Sequence, residues 1–542
     1  MTQTELASAP GTTGVHDVVI VGGGLTGLAQ LYSVRNAGLS VVLLEAGGGV
    51  GGTWYWNRYP GCRLDSESYT YQYAFDKDLL AETNWSELFA SQPELEQYYN
   101  HAADHLQLWP DIRLNTRVGS IVWDETDRLW TLRSEDGDEF RTRFVIMATG
   151  ILSAPNYPNV PGIERFKGEL YHTATWPHEQ VDFTAKRVAV VGTGASGVQV
   201  IPIVAQTAAH LTVFQRTPNW AVPLRNRPLT DEDRERIRAD YPAIFQRLRS
   251  TSNGFLHDWG TPLPSDISDE ERREIFEAAW NGPGFSKWFG LPRDIAVDPE
   301  VNQAFCEFAA DKIRERVHDP KVADKLIPKD HLFGTKRVPC ETSYFEAYNR
   351  PNVELVSLEE NPILEYTETG FRTAEGELDF DMIVLATGFD AFTGALTRID
   401  IRGVDGQSLR EKWASGPKTF LGLQVAGFPN LLINGGPHGK GGIGNSPRCS
   451  EPVIPWMTQL LVTAKEKGFS RFEADLEAEE EWTAYVNDMV ANSLAKDVKS
   501  YSYGDNIPGK ARVYIAFAGS LVDFRQRLAD IAADGYKGIQ LS

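Results

Sequence analysis

Two glycine-rich turns, and the residue that closes the strand after each, are the first features of this sequence able to do chemistry. Gly22, Gly24 and Gly27 sit in Gly22-Gly23-Gly24-Leu25-Thr26-Gly27, and Gly192, Gly194 and Gly197 sit in Gly192-Thr193-Gly194-Ala195-Ser196-Gly197. Glycines at this spacing permit a tight strand-to-helix bend, close approach of a pyrophosphate, and close packing of the helix on its strand. Glu45 and Gln215 stand at the same distance, 23 residues, beyond the first glycine of their repeats. A carboxylate there accepts hydrogen bonds from a ribose 2′-hydroxyl and repels a 2′-phosphate, which suits the adenosine of FAD. Gln215 is instead followed by Arg216 and Thr217, a guanidinium and a hydroxyl that can both donate to a 2′-phosphate, which favours NADP(H) over NAD(H).

Each turn needs a strand before it and a helix and second strand behind it. The apolar run 17–21, a helical pattern to Gly38 and the run 41–45 supply one such unit; 187–191, a helix and 211–215 supply the other. Two further apolar runs, 144–150 and 382–388, each end in Ala-Thr-Gly, placed either to bring the backbone against a cofactor or to return the chain between domains. The expected fold is therefore α/β with two Rossmann-like dinucleotide-binding domains, the NADP domain inserted into the FAD domain. Residues 1–16 read as a flexible tail, 17–150 and 389–542 as the two parts of the FAD domain, and 151–224 and 332–388 as those of the NADP domain. The charged stretch 225–331, with Asp231-Glu232-Asp233-Arg234-Glu235-Arg236, reads as a helical insertion capping the NADP domain.

A chain of 542 residues is long enough for several cores that enclose a cofactor. A formal charge of −21 argues against a general affinity for nucleic acid or anionic membranes. There is no run of apolar residues long enough to span a bilayer and no leader-like start. Cys62, Cys306, Cys340 and Cys449 are scattered, which fits a reduced cytoplasm, offers no metal-binding pair, and removes the disulfide reductases, whose flavin passes electrons to a paired cysteine. Oxygen is the remaining obvious electron acceptor. The oligomeric state stays open, a monomer included.

Phe166, Gly168, His172, Trp176 and Pro177 form the pattern FxGxxxHxxxWP just before the second glycine turn. Residues 51–65 form GGxWxxxxYPGxxxD, containing Gly52, Thr53, Trp54 and Asp65. Together these resemble the two fingerprints of the type I Baeyer-Villiger monooxygenases, and the likeness runs from residue 17 to the end. Read without the family, His172 is a hydrogen-bonded structural histidine and Trp176 a packed anchor. The resemblance implies that this segment links the domains and influences cofactor position, and that Gly52, Thr53, Trp54 and Asp65 line the FAD site.

The same resemblance places Lys336 with Arg216 and Thr217 at the 2′-phosphate, Arg337 over the flavin, and Asp65 as the partner that sets Arg337; composition alone would read Lys336-Arg337 as a surface pair. Arg337 and Asp65 are then the catalytic candidates. It further implies Tyr501 at the nicotinamide cofactor, where relatives commonly carry Trp, so that contact is open. The glycine-rich loop 435–448 is where relatives place substrate-facing residues, making Pro437, His438, Asn445 and Ser446 candidates on a mobile loop. The implied reaction uses NADPH, O2 and a ketone, and runs through a flavin peroxide and a tetrahedral adduct to an ester or lactone. Oxidation of sulfur or nitrogen, and a redox-sensing FAD/NADP-binding protein, are the alternatives.

Overall fold

The computed structural model describes residues 14–439 and 444–542. The chain starts a sheet with β1 (Val15–Val21), passes the first glycine turn into a helix, Leu25–Asn36, and returns as β2 (Val41–Leu44). β1 thus begins two residues inside the segment assigned to a tail. β3 (Ile112–Arg113), β4 (Val118–Asp124), β5 (Leu129–Ser134) and β6 (Glu139–Met147) follow. Strands β4 to β6 form an antiparallel meander absent from the sequence reading. Its cause is a two-residue period that buries Ile121, Trp123, Trp130 and Leu132, with a turn in which Asp124 accepts from the N–H groups of Thr126 and Asp127.

The chain then builds a second sheet. β7 (Glu169–His172) is followed by β8 (Arg187–Val191), the helix Ala195–Thr207 and β9 (His210–Gln215). β10 (Val222–Pro223) and β11 (Cys340–Glu341) pair across the helical segment, and β12 (Val353–Ser357) rejoins the sheet. A small antiparallel sheet of β13 (Ile363–Tyr366), β14 (Gly370–Thr373) and β15 (Gly376–Asp379) precedes β16 (Met382–Leu385). The resulting order, β12-β9-β8-β16-β7, is parallel throughout.

Only after β16 does the chain complete the first sheet, with β17 (Asp400–Arg402) beside β4 and β18 (Leu431–Ile433) beside β6. β6 carries β1 along one edge, while its other edge is shared by β5 at residues 139–142 and β18 at 145–147. The five-stranded sheet is therefore inserted between strands of the eight-stranded one, as expected. A terminal pair, β19 (Phe472–Ala474) and β20 (Ile539–Leu541), forms its own two-stranded sheet, with Phe472 stacked on Phe144 of β6.

Outgoing and returning crossings run side by side. Pro155 bridges Phe389 in antiparallel fashion; Asn156 N–H donates to the Gly388 carbonyl at 2.9 Å, Asp390 N–H to Ala154 at 2.9 Å and Phe392 N–H to Ile151 at 2.9 Å. Both glycine turns lie at the C-terminal end of a central strand whose neighbours continue the chain on opposite sides, β2 and β6 around β1, β9 and β16 around β8. In an open α/β sheet this is where a crevice for a ligand forms.

Residues 225–331 are mainly helical. Asp231–Ser250 and Asp269–Asn281 each start in a capping box, Thr230 with Asp233 and Ser268 with Glu271, and Pro299–Arg316 is capped by Asp298. Gly282-Pro283-Gly284 stops the second of these and turns Phe285 inward. Among the described residues no helix is long and apolar enough to cross a membrane.

Candidate active site

A cavity of about 1460 Å³ opens between the two glycine turns. That exceeds the roughly 300–1000 Å³ of a pocket for one small molecule and fits two extended ligands. At its first end Gly22 has φ +110°, and a Cβ there would stand 2.5 Å from the Ala148 carbonyl oxygen; a Cβ on Gly27 would fall 1.8 Å from the Gly22 oxygen. Both positions therefore exclude a side chain. Gly24 faces Gly52, which has φ +56°, so the turn and the 51–65 segment meet through backbone alone. Thr53–Trp56 then makes one helical turn that sets Trp54 in the cavity wall, edge-on to Tyr71.

Glu45 lies in that wall with its carboxylate accepting from Gly23 N–H at 2.6 Å and Gly47 N–H at 2.7 Å. Burial pushes its pKa up, and those two donors partly offset the shift. A carboxylate fixed at the end of β2, beside a turn with no side chains, fits the ribose and pyrophosphate of a flavin dinucleotide.

The second turn repeats the first. A Cβ on Gly192 would stand 2.4 Å from the Ala386 oxygen and one on Gly197 2.3 Å from the Gly192 oxygen, while one on Gly194 would meet nothing within 4 Å. Gly194 thus opens straight onto the cavity. Gln215, the counterpart of Glu45, is buried and donates to the Lys325 carbonyl at 2.7 Å. Arg216, Thr217 and Lys336 all line the same end; Arg216 makes no ion pair among the described residues, and Lys336 Nζ lies 3.1 Å from Asp330. Two cations and a hydroxyl without a competing acid at Gln215 fit a 2′-phosphate.

Between the two ends Arg337 donates to Asp65 Oδ2 at 2.8 Å. Its guanidinium lies over the Phe285 ring, 4.7 Å from the centroid, and Asn219 donates to its carbonyl at 2.8 Å. Burial is the largest single influence and opposes the charge, but Asp65, Tyr501 and Cys340 together outweigh it and raise the guanidinium pKa, so it stays protonated. Tyr501 borders the same cavity, stacked against Phe392; burial raises its phenol pKa, which the nearby Arg337 charge partly offsets, so the phenol is neutral.

His172 is not in the cavity wall. Its Nδ1 accepts from Ala174 N–H at 3.0 Å, so Nε2 carries the hydrogen and donates toward the Asn156 carbonyl at 3.3 Å, with Thr387 Oγ1 at 3.2 Å. Burial lowers its pKa, which agrees with a neutral ring. Asn156 and Thr387 belong to the two crossings, so the histidine ties both to the fingerprint strand β7. Trp176 is buried against Tyr171 and Phe183, and its N–H donates to the Trp56 carbonyl at 3.3 Å. A Cβ on Gly168 would meet Phe166 at 2.5 Å and the Asp381 oxygen at 2.6 Å; Pro177 is half-buried at the end of the pattern.

The substrate loop is only partly as expected. Asn445 and Ser446 line the cavity, and Asn445 donates to Thr70 Oγ1 at 3.1 Å. Pro437 and His438 do not line it. His438 is fully buried, its backbone at φ +60°, with Nε2 donating to the Tyr514 carbonyl at 3.1 Å. It is a strut under the loop rather than a substrate-facing group. The mobility expected of this loop rests on its glycines at 436, 439, 441, 442 and 444; of the loop, residues 440–443 lie outside the described residues.

Several cavity residues carried no signal strong enough to find. Phe285 and Asp330 come from the segment read only as a cap; the Gly-Pro-Gly break before Phe285 was its one cue. Asn506, whose amide donates to the Phe389 carbonyl at 2.6 Å, ties the Tyr501 loop to a crossing and has no motif at all.

Two dinucleotide turns facing one cavity define an oxidoreductase of the kind that pairs a flavin with a nicotinamide cofactor, and its four cysteines are free and buried. A family profile described as pyridine nucleotide-disulphide oxidoreductase matches residues 19–240, the stretch that holds both turns. The chain is 44% identical to the 2-oxo-Δ3-4,5,5-trimethylcyclopentenylacetyl-CoA monooxygenase of Pseudomonas putida over 97% of this chain and 98% of that one. It is 43% identical to the cyclopentanone 1,2-monooxygenase of Comamonas sp. (strain NCIMB 9872), covering 100% of this chain and 99% of the other. A crystal structure of OTEMO in complex with FAD and NADP superposes with a TM-score of 0.95 at 44% identity, covering 98% of this chain and 100% of that chain. The chain belongs to the Baeyer-Villiger monooxygenases, NADPH-dependent flavoproteins.

Loss of one charged hydrogen bond costs about 1.5–3 kcal/mol, or roughly 10- to 100-fold in affinity. Arg216→Ala and Lys336→Ala are each expected to raise KM for NADPH by about that factor and to leave KM for NADH nearly unchanged, as steady-state kinetics with the two cofactors will reveal.

His438 gives a second expectation. Burial lowers its pKa from 6.5 to about 4, so the unfolded chain takes up a proton that the folded one refuses. Its contribution is complete above pH 6.5 and falls away as pH drops from 6.5 toward 4, by up to about 3 kcal/mol. Thermal midpoints measured across that window should decline less steeply in His438→Gln than in the parent; parallel curves would contradict this.

Proposed function

We propose that this chain inserts one oxygen atom of O2 beside the carbonyl of a ketone, giving an ester, or a lactone from a cyclic ketone. The observation that carries the reading is the Arg337–Asp65 pair, set between a turn built for a flavin dinucleotide and one built for a 2′-phosphorylated nicotinamide dinucleotide. Bound FAD, reduced by NADPH, supplies the activated oxygen.

The remaining work falls to side chains. Glu45, Gly22, Gly24 and Gly27 hold the adenosine end of FAD, while Gly52, Thr53 and Trp54 face its body. Gly192, Gly194 and Gly197 receive the NADP pyrophosphate, and Arg216, Thr217 and Lys336 its 2′-phosphate. Arg337 offers a charge that no ordinary pH removes, suited to stabilising negative charge on oxygen beside the ketone carbonyl. Asp65 aims the guanidinium, and Phe285 shields its face from water. Tyr501 brings a phenol where relatives commonly place an indole, so it reaches the nicotinamide cofactor with an O–H donor. Asn445 and Ser446 border the ketone.

A five-membered cyclic ketone is the first substrate to try, because the names of both relatives contain a cyclopentane-type ring. The four buried thiols suit a reducing cytoplasm.

Incubation with NADPH, O2 and cyclopentanone, followed by mass spectrometry, is expected to show the ring-expanded lactone and one NADPH consumed per lactone. Hydrogen peroxide without an oxygenated product would point to an oxidase or sensor. Sulfoxides or N-oxides formed from sulfides or amines, with every ketone inert, would point to a heteroatom oxygenase. In Arg337→Ala, checked for flavin content, NADPH should still bleach the flavin while lactone formation falls at least about 100-fold; full lactone formation would remove Arg337 from the chemistry.

A further inference from the structure

Outside the cavity lining, two helices bring together three side chains of metal-ligand type. His101 and His105 lie one turn apart on the helix Gln92–His105, and Glu82 closes the short helix Lys77–Glu82. Glu82 Oε2 stands 3.0 Å from His101 Nε2 and 3.1 Å from His105 Nδ1, and one ligand atom from each residue lies within 4.8 Å of the others. We propose that Glu82, His101 and His105 form a binding site for a borderline divalent transition-metal ion such as Zn2+, with water completing the shell.

The ligand chemistry selects that class. Two imidazoles and one carboxylate suit zinc and its neighbours, whereas calcium and magnesium take oxygen ligands. Histidines four residues apart on a helix point from one face and can share one ion. Nitrogen and oxygen atoms bound at about 2.0–2.2 Å in a tetrahedral shell lie roughly 3.3–3.6 Å apart, so the two carboxylate–imidazole separations of 3.0 and 3.1 Å need open by only a few tenths of an ångström to admit an ion.

A second observation concerns the other side of His105. Its Nε2 lies 3.2 Å from Asp76 Oδ1. Asp76 is itself fixed, accepting from Asp78 N–H at 3.1 Å and Leu79 N–H at 2.9 Å as the cap of the short helix. A carboxylate behind a histidine ligand sets the ring's tautomer and orientation and raises its basicity. Without metal, N–H groups are needed at both nitrogens of His105 to serve Glu82 and Asp76 together. With metal, Nδ1 gives its lone pair to the ion and Nε2–H alone serves Asp76. The side chains of His101 and Glu82 are 43% and 49% exposed, so an ion and its water can reach them, while that of His105 is 19% exposed and held in place. Nothing in the oxygenation chemistry uses this site; the ion would clamp the end of one helix to the end of the other.

The test is calorimetric titration of tag-free, flavin-loaded enzyme with Zn2+ alone. One equivalent per chain should bind in the parent and in a His210→Ala control. His101→Ala and His105→Ala should lose that equivalent, and Asp76→Asn should weaken it by about 10- to 100-fold. Zn2+ should also raise the thermal midpoint of the parent and not of His101→Ala. Absence of binding to the parent, or unchanged binding in both histidine variants, would overturn the site and leave a hydrogen-bonded surface cluster.

Discussion

The active site depends on one ion pair between residues 272 positions apart. Asp65 ends the glycine-rich segment that packs on the first turn, and Arg337 follows the helical insertion of the second domain. Their 2.8 Å contact forms only if both sheets, the insertion and the crossings are in place. The Arg337 side chain keeps 30% exposure, so the acid serves above all to fix where the guanidinium sits, and the pair couples the placement of the charge to the assembly of the fold. Phe285 on one face and the Asn219 hydrogen bond to the backbone leave the side chain little freedom to turn away.

The glycines work at a different level. At Gly22, Gly27, Gly192 and Gly197 a single added carbon would collide with a backbone carbonyl, so the requirement is steric and local. That is why the nucleotide turns were legible in the sequence: strand, glycine spacing, helix and the chemistry of Glu45 or Gln215 are contained within some 25 residues. The helical insertion was legible for a similar reason, because its acidic helix starts are capped by residues three positions away.

What escaped was weakly signalled or non-local. The β4–β6 meander buries alternate residues of short strands, a weaker signal than a glycine turn. Phe285 reaches Arg337, and Asn506 reaches Phe389, across distances in sequence that no spacing rule spans. His438 shows the opposite error. A histidine in a glycine-rich loop reads as exposed, yet a left-handed backbone angle and one carbonyl at Tyr514 draw it into the core. His172 was read from its residues as structural, and its bonds to Asn156 and Thr387 show what it supports.

The paired crossings at Pro155 and Phe389 have an architectural consequence. The inserted sheet hangs from a stem of two hydrogen-bonded strands, with its point of departure and point of return next to each other. A segment whose ends touch can be gained or lost without stretching the sheet that hosts it, since β6 and β18 already pair on the far side of the gap. The host sheet thus pairs its strands on its own account, and the inserted half enters and leaves without breaking their register.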